Sequence, residues 1–550
     1  EPMSSRAKPR RLITAVAATI TGLALIAGCG GSRVASSASE TAAQSDAGGS
    51  STGTTAAAGD TAAVPAAGDT AAAPATAGNA AAAPAAGLNA AGAPAAVANT
   101  AAAPVVGSKT GSGVKAVAKP AKGGTAAVAS DSSSSKVAAS GAAAELAKQP
   151  IFGGSTAACK PATGTPINLG NVSTLSGVLG ELFSPVVPAL QIFVASQNAC
   201  GGLNGHPIKL FVADDQGDPA TAVTVGRKMI SQNKILAFVG NIQVLTIDGM
   251  ASVIKDTGIP IIGGDLTNNT WFTNPLLFPQ GSPPQAISYG YHQAAADIFH
   301  KKKLGNVYCL EVPQACTQIN KAFQELAQGF GDQVVYTQQI SITSPDYTPQ
   351  CIQAKNAGVE VMMITNDAPT QSRWGNSCAK VGYHPDYVMY PLGVGNEHQF
   401  LGNATLGNSY VPMNHFPWMA GTKQFPGSPA MDYYQRSVAK YNPGYNAGGA
   451  ASLGWAAGAL LVAASSQIDA NPTTSEFLNA LYEFKGQKYT TLGGLAPALT
   501  FNKGGTPQVP YCLFGAQSNA QNTGWARVDS TMKCTDTLAP SDPQVKNKGH

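Results

Sequence analysis

The sequence predicts an α/β protein whose parallel sheets are divided between two lobes. Three observations carry that expectation. Composition changes from low-complexity to globular at about Ile151. The stretch from there to His550 is longer than one hydrophobic core usually organises. Within it, short apolar runs alternate with helical stretches, the pattern of βα units in parallel sheets.

At the N-terminus the chain reads Glu1-Pro2-Met3, and the natural start is expected at Met3. Arg6, Lys8, Arg10 and Arg11 then precede an apolar stretch, Leu12 to Ala27. That stretch is shorter than the roughly 20 residues of a membrane span but suits the core of a signal peptide. Its end, Leu25-Ile26-Ala27-Gly28-Cys29, resembles a lipobox. Residues 1–28 are therefore expected to be removed as a lipoprotein signal peptide. Acyl chains on Cys29 would then hold the protein to the outer face of the cell membrane, and two or more chains make such anchoring stable. No later segment of the sequence is long and apolar enough to span a bilayer.

Residues 29–150 are dominated by Ala, Gly, Ser, Thr and Pro, with prolines at Pro74, Pro84, Pro94 and Pro104 interrupting alanine runs. Such a segment buries too little apolar area to offset the entropy of ordering its backbone, so it is expected to be a disordered tether. Its span would be about 60 Å as a flexible coil, enough to lead through a cell wall.

Beyond Ile151, buried strands are expected at Ile208 to Ala213, Ile235 to Val239, Ile259 to Ile262, Asn306 to Leu310, Val359 to Ile364 and Tyr387 to Tyr390. Between the first two, Asp218-Pro219 supplies an N-cap and an N1 proline, and Ala222, Val225 and Met229 share one helical face. Asp346 reads as a helix cap, Trp455 as core, Tyr433 and Tyr434 as packed on a helix face and His206 as a turn residue.

Charged residues make up 12% of the chain and the formal charge is +4, which leaves no basic footprint for nucleic acid. Setting Cys29 aside leaves eight cysteines, an even number in an exported chain, which favours disulfides. Eight cysteines allow 105 connectivities. Local pairing among them predicts Cys159 to Cys200, Cys309 to Cys316, Cys351 to Cys378 and Cys512 to Cys534. No C-x-x-C pair and no histidine spacing points to a metal, and no cofactor is expected. Hydrolase, zinc-protease and nucleotide-loop signatures are missing, and Gly393-x-Gly395 lacks the third glycine of a dinucleotide loop, so catalysis is not expected.

One stretch is more specific. A helix ending Asn198-Ala-Cys-Gly-Gly-Leu-Asn-Gly205, a strand ending Asp214-Asp215 and Gly217-Asp218-Pro219 opening a helix closely resemble the leucine/isoleucine/valine-binding family of type I solute receptors. Gly258-Ile-Pro-Ile-Ile262 with Leu266-Thr267-Asn268 extends the likeness, as do Asp346-Tyr-Thr348 and Ala357-Gly-Val-Glu-Val361. The resemblance covers about residues 165 to 520. It implies two doubly wound lobes joined by crossing hinge segments: residues 151–283 and 406–500 in the first lobe, and 284–405 with a return strand and tail in 501–550 in the second.

It also implies a ligand between the C-terminal ends of the strands, where helix N-termini and loop amides converge. On the first lobe Ser176, Thr246, Thr267 and Asn268 are the candidate contacts. Thr267 matches one of the family's hydroxyl positions, while Val244 stands at a second. On the second lobe Glu311 and Asp367 are the candidate acids for an ammonium, and Arg373 could hold an anion. The expected function is an extracytoplasmic substrate-binding lipoprotein of an ABC importer. It would capture a small polar solute, an amino acid, amide or related compound, and deliver it to a permease and ATPase complex. A ligand sensor of the same fold is the alternative, since fold alone does not decide function.

Overall fold

The computed structural model describes residues 144–546. The expected signal peptide, Cys29 and most of the expected tether lie outside the described residues. The globular part starts earlier than the composition indicates. A helical turn at 144–148 buries Leu146, and Pro150 and Ile151 are buried after it. Leu146 is the first large aliphatic residue after the alanine-rich stretch, and a single apolar anchor is enough to draw the end of a linker onto a surface.

The first lobe holds five parallel strands in the order β2-β1-β3-β4-β5. They are β1 (Ile167–Ser173), β2 (Ile208–Asp214), β3 (Ala237–Asn241), β4 (Ile261–Gly264) and β5 (Leu277–Phe278). Three helices connect them: α1 (Val186–Asn198), α2 (Pro219–Asn233) and α3 (Ile247–Thr257). Asp218 caps α2 by accepting from the Thr221 amide, with Pro219 at its first position. Both are roles that only a short acidic side chain and a fixed φ fill well.

The second lobe begins with α4 (Gln285–Ala294) and alternates β6 (Lys303–Cys309), α5 (Pro313–Phe330), β7 (Gln333–Ile340), α6 (Thr348–Asn356), β8 (Val361–Thr365), α7 (Ala368–Lys380) and β9 (Asp386–Met389). Its sheet runs β12-β11-β10-β9-β8-β6-β7. The member β10 (Tyr410–Met413) is parallel to β9 and antiparallel to β11. The chain therefore returns to the first lobe only after Met413, not at residue 406. Helices α8 (Pro429–Tyr441), α9 (Gly449–Ala464) and α10 (Thr474–Tyr482) follow, before β11 (Tyr511–Ser518) and β12 (Trp525–Thr535) complete the second sheet.

Every residue of α9 is buried. Its apolar residues surround the whole helix, so it can only serve as core. Glycines let it approach α1: a Cβ at Gly458 would lie 2.6 Å from the Phe193 ring, and one at Gly454 3.0 Å from Val186.

Three crossing segments are stitched together by Ser282. Its hydroxyl donates to the Pro510 carbonyl at 2.8 Å and accepts from the Cys512 amide at 3.0 Å, and its own carbonyl accepts from the Asn414 amide at 2.9 Å. The structure pairs Cys159 with Cys200, Cys309 with Cys316, Cys351 with Cys378 and Cys512 with Cys534. The last pair joins directly opposed residues of β11 and β12.

Asp346 lies one residue before the cap position of α6, yet it serves the same end by accepting from the Thr348 amide at 2.8 Å. Trp455, Tyr433 and Tyr434 are core residues, and His206 sits buried in a turn. Among the described residues no helix is long and apolar enough to cross a membrane, and no cluster of His, Cys, Asp and Glu is arranged to hold a metal.

Candidate functional site

The C-terminal ends of β1, β3 and β4 face those of β6, β7, β8 and β9 across a cleft. From the first lobe Leu179, Leu182, Phe183, Val244 and Thr267 line it. From the second come Glu311, Val312, Ile342, Asn366, Tyr390 and Leu392, with the Cys309 and Cys316 positions beneath them. The space between these walls is about 50 Å³. That volume holds a few waters at most, so a solute of amino-acid size enters with the lobes open and the lining side chains repack around it as they close.

Several contacts hold the lobes together at the rim. Asn268 donates to the Gln314 side chain at 2.9 Å, and Asn446 donates to the Asn396 side chain at 2.6 Å. Gln399 donates to Glu181, and the Glu397 amide donates to the Ala447 carbonyl. Gly448 lies directly against Gly395.

The expected first-lobe contacts divide between cavity and support. Ser176 is exposed on the loop after β1, outside the cavity. Partial burial works to raise the Asp214 pKa, but hydrogen bonds from the Ser176 hydroxyl and neighbouring amides outweigh it and leave the carboxyl below its usual range. Thr246 is buried and donates to Asp215 at 2.6 Å, and Asp215 also accepts from Thr174 at 2.7 Å. Its hydroxyl is committed to that network behind the cleft. Asn268 accepts from the Thr270 amide and spends its own amide on the inter-lobe bond to Gln314.

Thr267 does line the cavity, but its hydroxyl donates to Asp265. Asp265 is buried and accepts further from the Thr267 and Gln243 amides. Burial pushes its carboxyl above the ordinary value, and these donors oppose that. Thr267→Ala should therefore cost about 1 to 3 kcal/mol of stability, the range for depriving a buried acceptor of a donor. Thr267→Ser should restore most of it. Chemical denaturation of the three proteins checks this.

On the second lobe Glu311, Asp367 and Arg373 converge around the loop that follows β7. Arg373 donates to the Ser344 carbonyl at 3.1 Å, to the Ile342 carbonyl and to Thr370 at 2.9 Å, so its donors are turned into the protein. Asp367 caps α7 through the Thr370 amide. Its carboxyl is pushed up, first by burial and then by the nearby Glu311 charge, while Thr370 and Arg373 oppose this.

Only Glu311 of the three lines the cavity. One of its oxygens accepts from the Ser341 hydroxyl and the Ile342 amide. The other, Oε2, is buried without a partner, and so is Oδ1 of Asn366. The polar groups of the cavity that want a partner are thus acceptors.

The candidate contacts chosen from the sequence were polar side chains, and the apolar side chains of this wall were not among them. A signal was present: Leu179-Gly-Glu-Leu-Phe183 places three large apolar residues on a single helical turn soon after a strand's C-terminal end, where solvated connections are polar.

Comparison with known proteins agrees with this architecture. The family model described as "Periplasmic binding protein" matches residues 166–521. An amino acid binding protein of Pseudomonas aeruginosa is 38% identical over 71 residues. That match spans 13% of this chain and 19% of the relative, well short of its full length. Two solved structures share the fold at 15% identity and a TM-score of 0.56. One is a fatty acid ABC transporter substrate-binding protein from Thermomonospora curvata, covering 70% of this chain and 97% of its own. The other is a branched-chain amino acid ABC transporter protein from Thermus thermophilus with bound valine, covering 67% and 97%. With two sheets of this connectivity, a cleft at their strand ends and a family match over more than half its length, the chain belongs to the periplasmic binding proteins of type I fold, which bind solutes outside the cytoplasm and are not enzymes.

Proposed function

We propose that this protein is the lipid-anchored substrate-binding component of an ABC importer, and that its solute has an apolar body and one hydrogen-bond-donating head, as a hydrophobic amino acid or its amide does. The observation that carries the substrate class is Glu311 Oε2, a buried carboxylate oxygen without a partner in a cavity lined mostly by apolar side chains. A buried charge of this kind is costly until a donor meets it. An ammonium or amide N–H supplies that donor, with Asn366 Oδ1 as a second acceptor. A fatty acid or other carboxylate would instead place its oxygens against these acceptors. The apolar wall narrows the broader expectation of a polar solute.

The role follows from the two-lobed geometry. Contacts made to both lobes favour the closed form, and a permease complex that recognises that form receives the solute. The anchor at Cys29 rests on the lipobox-like sequence, and labelled fatty acid should appear on the wild type and vanish in Cys29→Ala.

Calorimetry tests the substrate class. Leucine, valine and phenylalanine, their amides and the matching deaminated acids should separate into binders with a donor head and non-binders without one. Glu311→Gln should weaken the binders about 10- to 150-fold, as for losing a hydrogen bond to a charged group. Tight binding of the deaminated acids, undiminished in Glu311→Gln, would refute this substrate class.

A further inference from the structure

Beside the cleft lies a larger cavity of about 800 Å³, within the size range of small-molecule sites. Glu397 and Trp525 of the second lobe bound it on one side; Trp418, Phe425, Tyr434 and Tyr445 bound it on the other. None of these residues lines the cleft.

Two features distinguish this cavity from a packing defect. The Glu397 carboxylate is held by two indoles, accepting from Trp418 Nε1 at 2.6 Å and from Trp525 Nε1 at 2.9 Å. One donor on each oxygen fixes its position and leaves lone pairs free. Tyr434, 1% exposed, has its ring packed edge-on against Phe416 and Trp455, and its hydroxyl is buried without a partner. An unpaired buried hydroxyl is unfavourable unless something in the cavity bonds to it.

We infer that this cavity is a second ligand site, and that it takes an organic ammonium compound with an apolar or aromatic body. Glu397 is the one carboxylate lining it, while the basic residues there, His398 and Lys423, are exposed. A cation is attracted by the carboxylate, and its N–H groups donate to Glu397 and to the Tyr434 oxygen. A sugar would need an open aromatic face to stack on. The Trp525 face is covered by Phe400 and that of Trp418 by His415, and the two indoles are only 7% and 3% exposed.

Calorimetry and thermal melts with 2-phenylethylamine, 2-phenylethanol and 3-phenylpropionate, three probes of similar shape and different charge, test the assignment. The amine should bind at this site, with the alcohol and the acid at least tenfold weaker. Glu397→Gln should weaken the amine tenfold or more. Tyr434→Phe, which keeps the packed ring and so the fold, should weaken it severalfold. Glu311→Gln separates this site from the cleft and should leave amine binding here unchanged. Binding of the alcohol as tight as the amine, no binding of the amine, or binding abolished by Glu311→Gln yet retained in both Glu397→Gln and Tyr434→Phe would each overturn the inference.

Discussion

Gly448→Ala should hold the two lobes apart and weaken solute binding about 5- to 150-fold while leaving each lobe folded. A Cβ at Gly448 would lie 1.9 Å from the carbonyl oxygen of Gly395, which belongs to the opposite lobe. The backbone there is extended, at φ −170°, so alanine introduces no conformational strain. What it introduces is an overlap that exists only when the lobes meet. Overpacking costs about 1 to 3 kcal/mol, and a penalty confined to the closed state is subtracted in full from binding that requires closure. Small-angle scattering should show a larger radius of gyration for Gly448→Ala than for the wild type, with unchanged far-UV dichroism. Equal compactness of the two proteins would show that closure does not need this contact. Gly395 sits in the same seam, where a Cβ would lie 2.7 Å from the Leu182 carbonyl. Gly395 therefore serves lobe contact, whereas Gly393 makes room within its own lobe, where a Cβ would lie 1.9 Å from the Asn366 carbonyl oxygen.

Acidification from pH 7.5 to 4.5 should remove about 2 to 3 kcal/mol of stability through His415 alone. His415 is buried in the segment that crosses between lobes, stacked on Trp418, with Nδ1 3.2 Å from the Phe416 carbonyl and Nε2 without a partner. Burial pushes its pKa down to about 4, against a smaller upward pull from Phe416. The unfolded chain, with an ordinary histidine pKa of about 6.5, binds the proton more readily across that interval. This contribution is therefore complete above about pH 6.5 and is lost as pH falls toward about 4. Asp265 and Asp367 act in the opposite direction, because their raised pKa values make the fold gain stability as they protonate. Urea denaturation of wild type and His415→Asn at both pH values isolates the histidine: the difference between the two proteins should change by the stated amount, and a constant difference would refute the assignment.

The periodic features of this protein were legible in its sequence because they depend on neighbours along the chain. Asp218-Pro219 caps a helix whatever surrounds it, and the alternation of apolar strands with helices implies parallel sheets. The cysteines joined by short loops, Cys309 with Cys316 and Cys512 with Cys534, are of the same kind, since few residues separate them. Strands β1, β5, β7 and β10 to β12 were not singled out. In β7 and β12 nearly all side chains are partly buried or exposed, so the apolar run that marks a core strand is missing.

What each polar residue near the cleft does was a tertiary decision. Thr267, Glu311, Asp367 and Arg373 all carry chemistry suited to a ligand; the first three lie on loops at strand ends and Arg373 lies within α7. Thr267 is satisfied by Asp265 only two residues before it, but only the folded chain brings the loop after β7 to Arg373 and to one oxygen of Glu311, while it leaves Glu311 Oε2 unpaired. Residue type and spacing establish which groups can bind. Which of them remain free to do so depends on partners distant in sequence, and hydrogen-bond satisfaction between distant segments is a property of the assembled lobes alone.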